Sequence, residues 1–182
     1  MTRASEIHAL FSTLRPIADL PVQHGIGVYI LCLRPRSILP GVRPADNGLL
    51  YVGMTDNDLS VRNHFTHADS SGSSPRRSLG AMLRTQLQLA PIPRGRALSD
   101  KDATHYRFTG DGEKALVEWM RANILASQLI IADVSRAEGD LIRKLMPPLN
   151  LTKLGGWKNP QKANIMAARG VCADMARKAL QA

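Results

Sequence analysis

Cysteine, aromatic residues and long apolar runs are all scarce in this chain, and each scarcity removes a class of protein. Of 182 residues only two are cysteines, Cys32 and Cys172. They form neither a Cys-x-x-Cys pair nor a disulfide framework; both read as small core residues, which argues against a zinc site. Aromatic residues make up 4% of the chain: three tyrosines, three phenylalanines and two tryptophans. No stretch approaches the ~18–20 consecutive apolar residues of a membrane span, and the N-terminus has no signal-peptide core. The expectation is a cytoplasmic protein without membrane contact. No repeat of solenoid period is present.

What remains is enough for a core. A hydrophobic fraction of 44% argues against wholesale disorder. The length of 182 residues fits a single domain over residues 1–182. Its core would span about 24–152, with one helix within residues 1–20 and another over 159–181.

Charge is lopsided. The net charge is +9 and the isoelectric point about 10.2, which suits a polyanionic partner, because each neutralised phosphate releases counterions. Arginines cluster: Arg34, Arg36 and Arg43 share one connection, and Arg76, Arg77, Arg84, Arg94 and Arg96 follow. Guanidinium forks match phosphate oxygens better than ammonium groups do. Arg34, Arg36, Arg43, Arg76 and Arg77 are therefore the candidate nucleic-acid contacts.

Residues 5–14 have the apolar spacing of a packing helix. Val28–Leu33 and Leu49–Val52 are apolar runs rich in β-branched residues, separated by a proline- and glycine-bearing loop, and predict two strands of a hairpin. Asp56-Asn57-Asp58 predicts the cap of a helix through about Phe65. Ser70–Pro75 reads as a flexible low-complexity stretch. A helix with Leu79, Met82, Leu83 and Leu87 follows, then a loop over Pro91–Asp102, a strand over Thr104–Phe108 and a Gly110-Asp111-Gly112 turn. Beyond it the pattern predicts a helix with Leu116, Trp119, Met120 and Ile124, a strand at Leu129–Ala132 and a helix from Ser135. Asn159-Pro160 opens a last helix.

Three distant pieces make chemical sense together: Gly27-Val28-Tyr29, Tyr51-Val52-Gly53, and the thirteen residues from Glu138 to Asn150. Arg62 follows the second piece. A carboxylate can hold a divalent cation, an arginine can neutralise a phosphate, and a phenol can orient or deprotonate water. That is a minimal kit for cutting a phosphodiester.

The pieces resemble the motifs of the GIY-YIG endonuclease family, with valine for isoleucine in each triplet. Leu59-Ser60-Val61-Arg62 is similar to the leucine-x-x-arginine that follows the second triplet. Glu138 with Leu141-Ile142, Pro147, Pro148 and Asn150 is similar to the family's glutamate helix and closing asparagine. The resemblance implies an α+β fold: a small, mainly antiparallel three-stranded sheet flanked by helices, here with helical N- and C-terminal extensions. It implies metal-dependent endonuclease action on double-stranded or branched DNA. Glu138 would be the protein ligand of a Mg²⁺ or Mn²⁺ ion and Arg62 would hold the scissile phosphate. Tyr29 is the candidate for activating water and Tyr51 for positioning it, with the roles exchangeable. Asn150 would support the site, and His64 and His67 are marginal candidates for orienting water or touching phosphate. One extra residue separates Gly53 from Arg62, and Met54 stands where the family often has lysine. The rival reading is a basic nucleic-acid-binding module of the same fold without cleavage.

Each residue also has a plainer reading. Ser135-Arg136-Ala137-Glu138 is a capping box, in which the glutamate would serve the helix terminus. Against that, Glu138 shares a helix face with Leu141, Ile142 and Leu145, which turns it toward the sheet, whereas Asp140 is expected in solvent. The tyrosines can be ordinary strand residues, and Arg62 an ordinary helix-surface arginine.

Overall fold

A computed structural model describes residues 3–61, 69–95, 99–152 and 158–179. In chain order the helices and strands are α1 (Arg3–Ser12), β1 (Arg15–Pro16), β2 (Gly27–Leu33), β3 (Leu49–Thr55), α2 (Ser74–Leu83), β4 (Pro91–Ile92), α3 (Asp100–Thr104), β5 (Arg107–Phe108), α4 (Gly110–Asn123), β6 (Ile124–Ile130), α5 (Val134–Leu145) and α6 (Lys162–Ala179). The composition reads as one domain with extensions, but the chain clusters into two compact units. One comprises Met1–Ile38, Arg43–Asn63 and Met120–Lys162, the other Leu39–Val42, His64–Trp119 and Ala163–Ala182.

The first unit holds an antiparallel sheet of order β1-β6-β2-β3. The expected three strands are β6, β2 and β3, and the two-residue β1 adds a short fourth. Strand β2 is central and every residue of it is buried. Its alternate residues Val28, Ile30 and Cys32 join Leu49 and Val52 of β3, Leu10 of α1, and Ala137, Leu141 and Ile142 of α5 in one core. Fully burying such an aliphatic side chain contributes ~1.5–3 kcal/mol, so this layer carries much of the unit's stability. Burial pushes the Cys32 thiol up to about 12, which makes it a packing group.

The second unit has its own core of Leu79, Leu83, Tyr106, Phe108 and Leu116. The Tyr106 and Phe108 rings meet edge to face at 5.6 Å. Here β4 and β5 form a separate two-stranded sheet. The strand expected at Thr104–Phe108 is only Arg107–Phe108, with Asp100–Thr104 helical before it. Gly110-Asp111-Gly112 is the first turn of α4 rather than a loop, and α2 stops before Leu87.

The largest boundary difference is β6, which begins at Ile124 instead of Leu129. Leu116, Trp119, Met120 and Ile124 carry a helical spacing across the junction. Pairing of Leu33 with Ile124 and Cys32 with Leu125 draws those residues into the sheet instead. Long-range strand pairing outweighs local periodicity there.

Candidate active site

Tyr29 lies in the middle of β2, opposite Gly53 of β3 on one side and Gln128 of β6 on the other. Residues directly opposite across an antiparallel ladder share a face of the sheet. Val28, Ile30 and Val52 face the α1 and α5 core, so pleating turns Tyr29, Gly53 and Tyr51 to the other face. The two phenol rings stand 6.1 Å apart, tilted by 38°. A Cβ on Gly53 would collide with the ring and hydroxyl of Tyr29 and lie 2.8 Å from Cε1 of Tyr51. The Tyr29 phenol thus crosses β3 in the space that the glycine leaves. Tyr29 is buried and Tyr51 is half-buried.

The first glycine has a comparable reason. A Cβ on Gly27 would strike the Leu129 carbonyl and lie 2.7 Å from Cδ1 of Leu59. Leu59 is fully buried, and its N–H donates to the Gly25 carbonyl at 2.9 Å. The leucine of the Leu59–Arg62 segment is thereby anchored where β2 begins. Asp58 accepts the Ser60 N–H at 2.7 Å, a cap-like turn whose hydrogen bonds from Ser60 hold its carboxyl below the usual range. The helix expected to follow, with Arg62, His64 and His67, lies outside the described residues.

Asn150 is a clamp on the edge strand. Its Oδ1 accepts the Val52 N–H at 2.9 Å and its Nδ2 donates to the Val52 carbonyl at 2.8 Å. Leu149 adds a backbone bond to Leu50 at 2.9 Å, available because the β2–β3 register shifts between Leu31 and Cys32 and skips Leu50. The asparagine amide therefore acts as a strand partner for the residue between Tyr51 and Gly53. Upstream, α5 ends at Met146 in the left-handed conformation, and Pro147-Pro148 prevent its continuation.

Glu138 sits on α5, which packs against β3 and β2, and is only 7% exposed. The cap of this helix is Asp133, whose side chain accepts the Arg136 N–H at 3.3 Å. Ser135 is inside the first turn, and the capping-box position falls on Arg136, two residues before Glu138. The capping reading of the glutamate is thus removed. Asp140, expected in solvent, is also only 7% exposed. Arg143 and Arg136, one turn away on either side, pair with its carboxylate at 2.5 and 3.9 Å and cover it.

Among the described residues no three His, Cys, Asp or Glu side chains gather as a metal cluster. A single hard carboxylate fits Mg²⁺ or Mn²⁺, which keep most of their waters and bind through one or two carboxylates. It does not fit a zinc centre, which needs three or four protein ligands.

The basic residues separate into two groups. Arg36 and Arg43 are exposed, and the Arg43 backbone is held by the Gln161 amide at 2.6 and 2.7 Å. Arg34 is half-buried. Arg76 and Arg77, by contrast, are not a DNA-facing pair. Arg76 is 0% exposed and its Nη2 meets Glu113 at 2.5 Å. The same carboxylate accepts the Ser70 N–H and hydroxyl and the Phe108 N–H, at 2.8 to 2.9 Å. Arg77 is 6% exposed and donates to the carbonyls of Ser70 and Ser71, with burial first and Arg169 and Arg94 next in lowering its pKa to about 10. The serine-rich stretch is correspondingly built: Asp69 caps its turn and Ser73 caps α2. Two arginines next to serines look like a phosphate site, but a buried glutamate 37 positions away from Arg76 claims the charge.

Replacing Arg76 by methionine is therefore expected to cost stability, by ~3–5 kcal/mol, since it strips a buried carboxylate of its cation. Urea unfolding of the variant checks this. An unchanged midpoint with weakened DNA binding would restore Arg76 to the surface role.

Two phenols packed on one face of a small α+β sheet, and a buried carboxylate on the helix that packs against that sheet, are groups that a hydrolase of phosphodiesters can use. The GIY-YIG catalytic domain model matches residues 27–170, and the chain belongs to that family. Its members are nucleases that act on DNA and use divalent metal ions. No curated protein and no solved structure matches the chain.

Gln128 is the residue of the tyrosine row that sequence reasoning missed. Its place opposite Tyr29 depends on β6 starting at Ile124, and no local pattern carries that register.

Proposed function

We propose that the protein is an endonuclease that hydrolyses phosphodiester bonds of double-stranded or branched DNA with one Mg²⁺ or Mn²⁺ ion on Glu138. The observation that carries this is the packing of Tyr29 and Tyr51 over Gly53, which brings two phenols together on one face of the sheet. When bound, the ion supplies a fixed positive charge against which negative charge on the phosphate can grow. Arg62, carried by the segment that Leu59 anchors, holds the scissile phosphate. Tyr29 and Tyr51 orient the attacking water or accept its proton, and Asn150 keeps β3 in place beneath them. Arg34, Arg36 and Arg43 supply backbone contacts.

Nicking of supercoiled plasmid and of a four-way junction, with Mg²⁺ or Mn²⁺ and with EDTA, tests the reading. Cleavage is expected only with the metal. Tyr29→Phe keeps the ring, so it should fold normally and lose ~10²-fold or more in rate if its hydroxyl handles the water proton. Full activity in that variant would return Tyr29 to packing. DNA binding with no cleavage under any metal would make the protein a binding module instead.

A further inference from the structure

The tyrosine row has a neighbour on its other side. In the first unit, a cavity of about 380 Å³ opens beside β6, among Thr13, Arg15, Leu20, Pro21, Gln23 and Gln128. That volume is in the ~300–1,000 Å³ range of small-ligand sites. Gln128 is the register partner of Tyr29, so one residue of the cavity wall shares a cross-strand row with Tyr29.

Its polar equipment is partly backbone. The bonds Ile131 N–H to Ile26 and Arg34 N–H to Asn123 fix which residues of β6 point their amides at β2. Antiparallel alternation then turns the N–H and C=O of Ala126, Gln128 and Ile130 outward. Strand β1 meets β6 only at Ala126 and Leu125. The outward groups of Gln128 and Ile130 have no ladder partner among the described residues, and both residues line the cavity. The buried Oε1 of Gln128 likewise has no hydrogen-bond partner there, an arrangement that costs ~1–3 kcal/mol until a donor arrives. Leu20, Pro21, Leu129 and Ile130 give apolar walls, and Arg15 adds a cation to the lining.

Apolar walls, backbone donors and acceptors, and one arginine match a nucleotide: a base to pack, an edge to read and a phosphate to hold. We propose that this cavity receives one nucleotide of the DNA, unpaired or extruded from the duplex. Extrusion costs least where a base is already unpaired, so the pocket favours bulged or branched DNA over a perfect duplex. Only the DNA origin of the nucleotide rests on the nuclease reading.

Amide shifts of the full chain in EDTA, where cleavage is off, test this. The probes are deoxyadenosine, its 5′-monophosphate, and a short duplex with or without one unpaired deoxyadenosine. Shifts are expected at Gln128 and Ile130 with the monophosphate and the bulged duplex. Gln128→Leu should weaken both by about tenfold, and Arg15→Gln should erase the advantage of monophosphate over nucleoside. Silence at those two amides, or unchanged affinity in a normally folded Gln128→Leu, overturns the pocket. Shifts with the monophosphate but not with bulged DNA would make it a free-nucleotide site and overturn the DNA assignment. A chain that never nicks yet shows the bulge-specific shifts would sink the nuclease reading and leave the pocket standing.

Discussion

Replacing Glu138 by glutamine is expected to abolish metal-dependent nicking while shifting the melting temperature by no more than about 2 °C. Glutamine keeps the length and shape of a side chain that is 7% exposed on the inner face of α5. What it removes is the negative charge that a hard divalent cation requires. The helix does not depend on that charge for its start, because Asp133 supplies the cap. Asp133→Ala should therefore cost ~1 kcal/mol of stability and retain cleavage, the mirror image of the Glu138→Gln result. Ser135→Ala should do little to either. Nicking by Glu138→Gln at the parent rate in the same Mg²⁺ would end the metal role.

Gly53→Ala is expected to damage stability and activity together. The added Cβ falls where the Tyr29 hydroxyl and ring already lie, and β3 cannot simply retreat. Pairing with β2 holds it on one side and the Asn150 clamp on the other. Overpacking of this kind costs ~1–3 kcal/mol. The phenol must swing aside, and a displacement of about 1 Å at a reacting group can cost ~10²-fold in rate. Tyr29→Leu in the Gly53→Ala background should recover most of the stability but none of the activity. Simple additivity of the two stability losses would show that the glycine accommodates something other than this ring.

Much of this site was legible in the sequence, and the limits follow from physics. The triplets lie on paired strands because apolar β-branched runs and a turn-rich connection specify a hairpin locally. Their glycines looked like motif letters only; the ring and the leucine that exclude a Cβ come from elsewhere in the chain. Asn150 was expected near the site, but an amide serving as a strand partner cannot be foreseen without the register of β3. The inward face of Glu138 followed from helical spacing. Its freedom from capping did not, since Asp133 and Ser135 are both good cap residues and packing decides between them. Charge was the least legible. Arg76, Arg77 and Asp140 all have the local context of solvated groups, yet all three are buried; the partner of Arg76, Glu113, is one that sequence alone does not bring near.

The order of strands in the chain has a consequence for how the protein is made. The central strand β2 pairs on one side with β3, close by in sequence, and on the other with β6, so that Gly27 meets Ile130. A ribosome that has finished the β2–β3 hairpin must still synthesise all of residues 56–123 before β6 exists. Throughout that interval one edge of a wholly apolar strand stays open, and the α5 layer that covers its core face is later still. Closing so long a loop is slow because its entropy must be spent before any ladder bond repays it. The intervening segment largely belongs to the other compact unit, so its early collapse would shorten the distance that β6 has to search. The nascent hairpin is thus the stage most exposed to strand-to-strand aggregation, and chaperone dependence should be sought there, before residue 124 emerges.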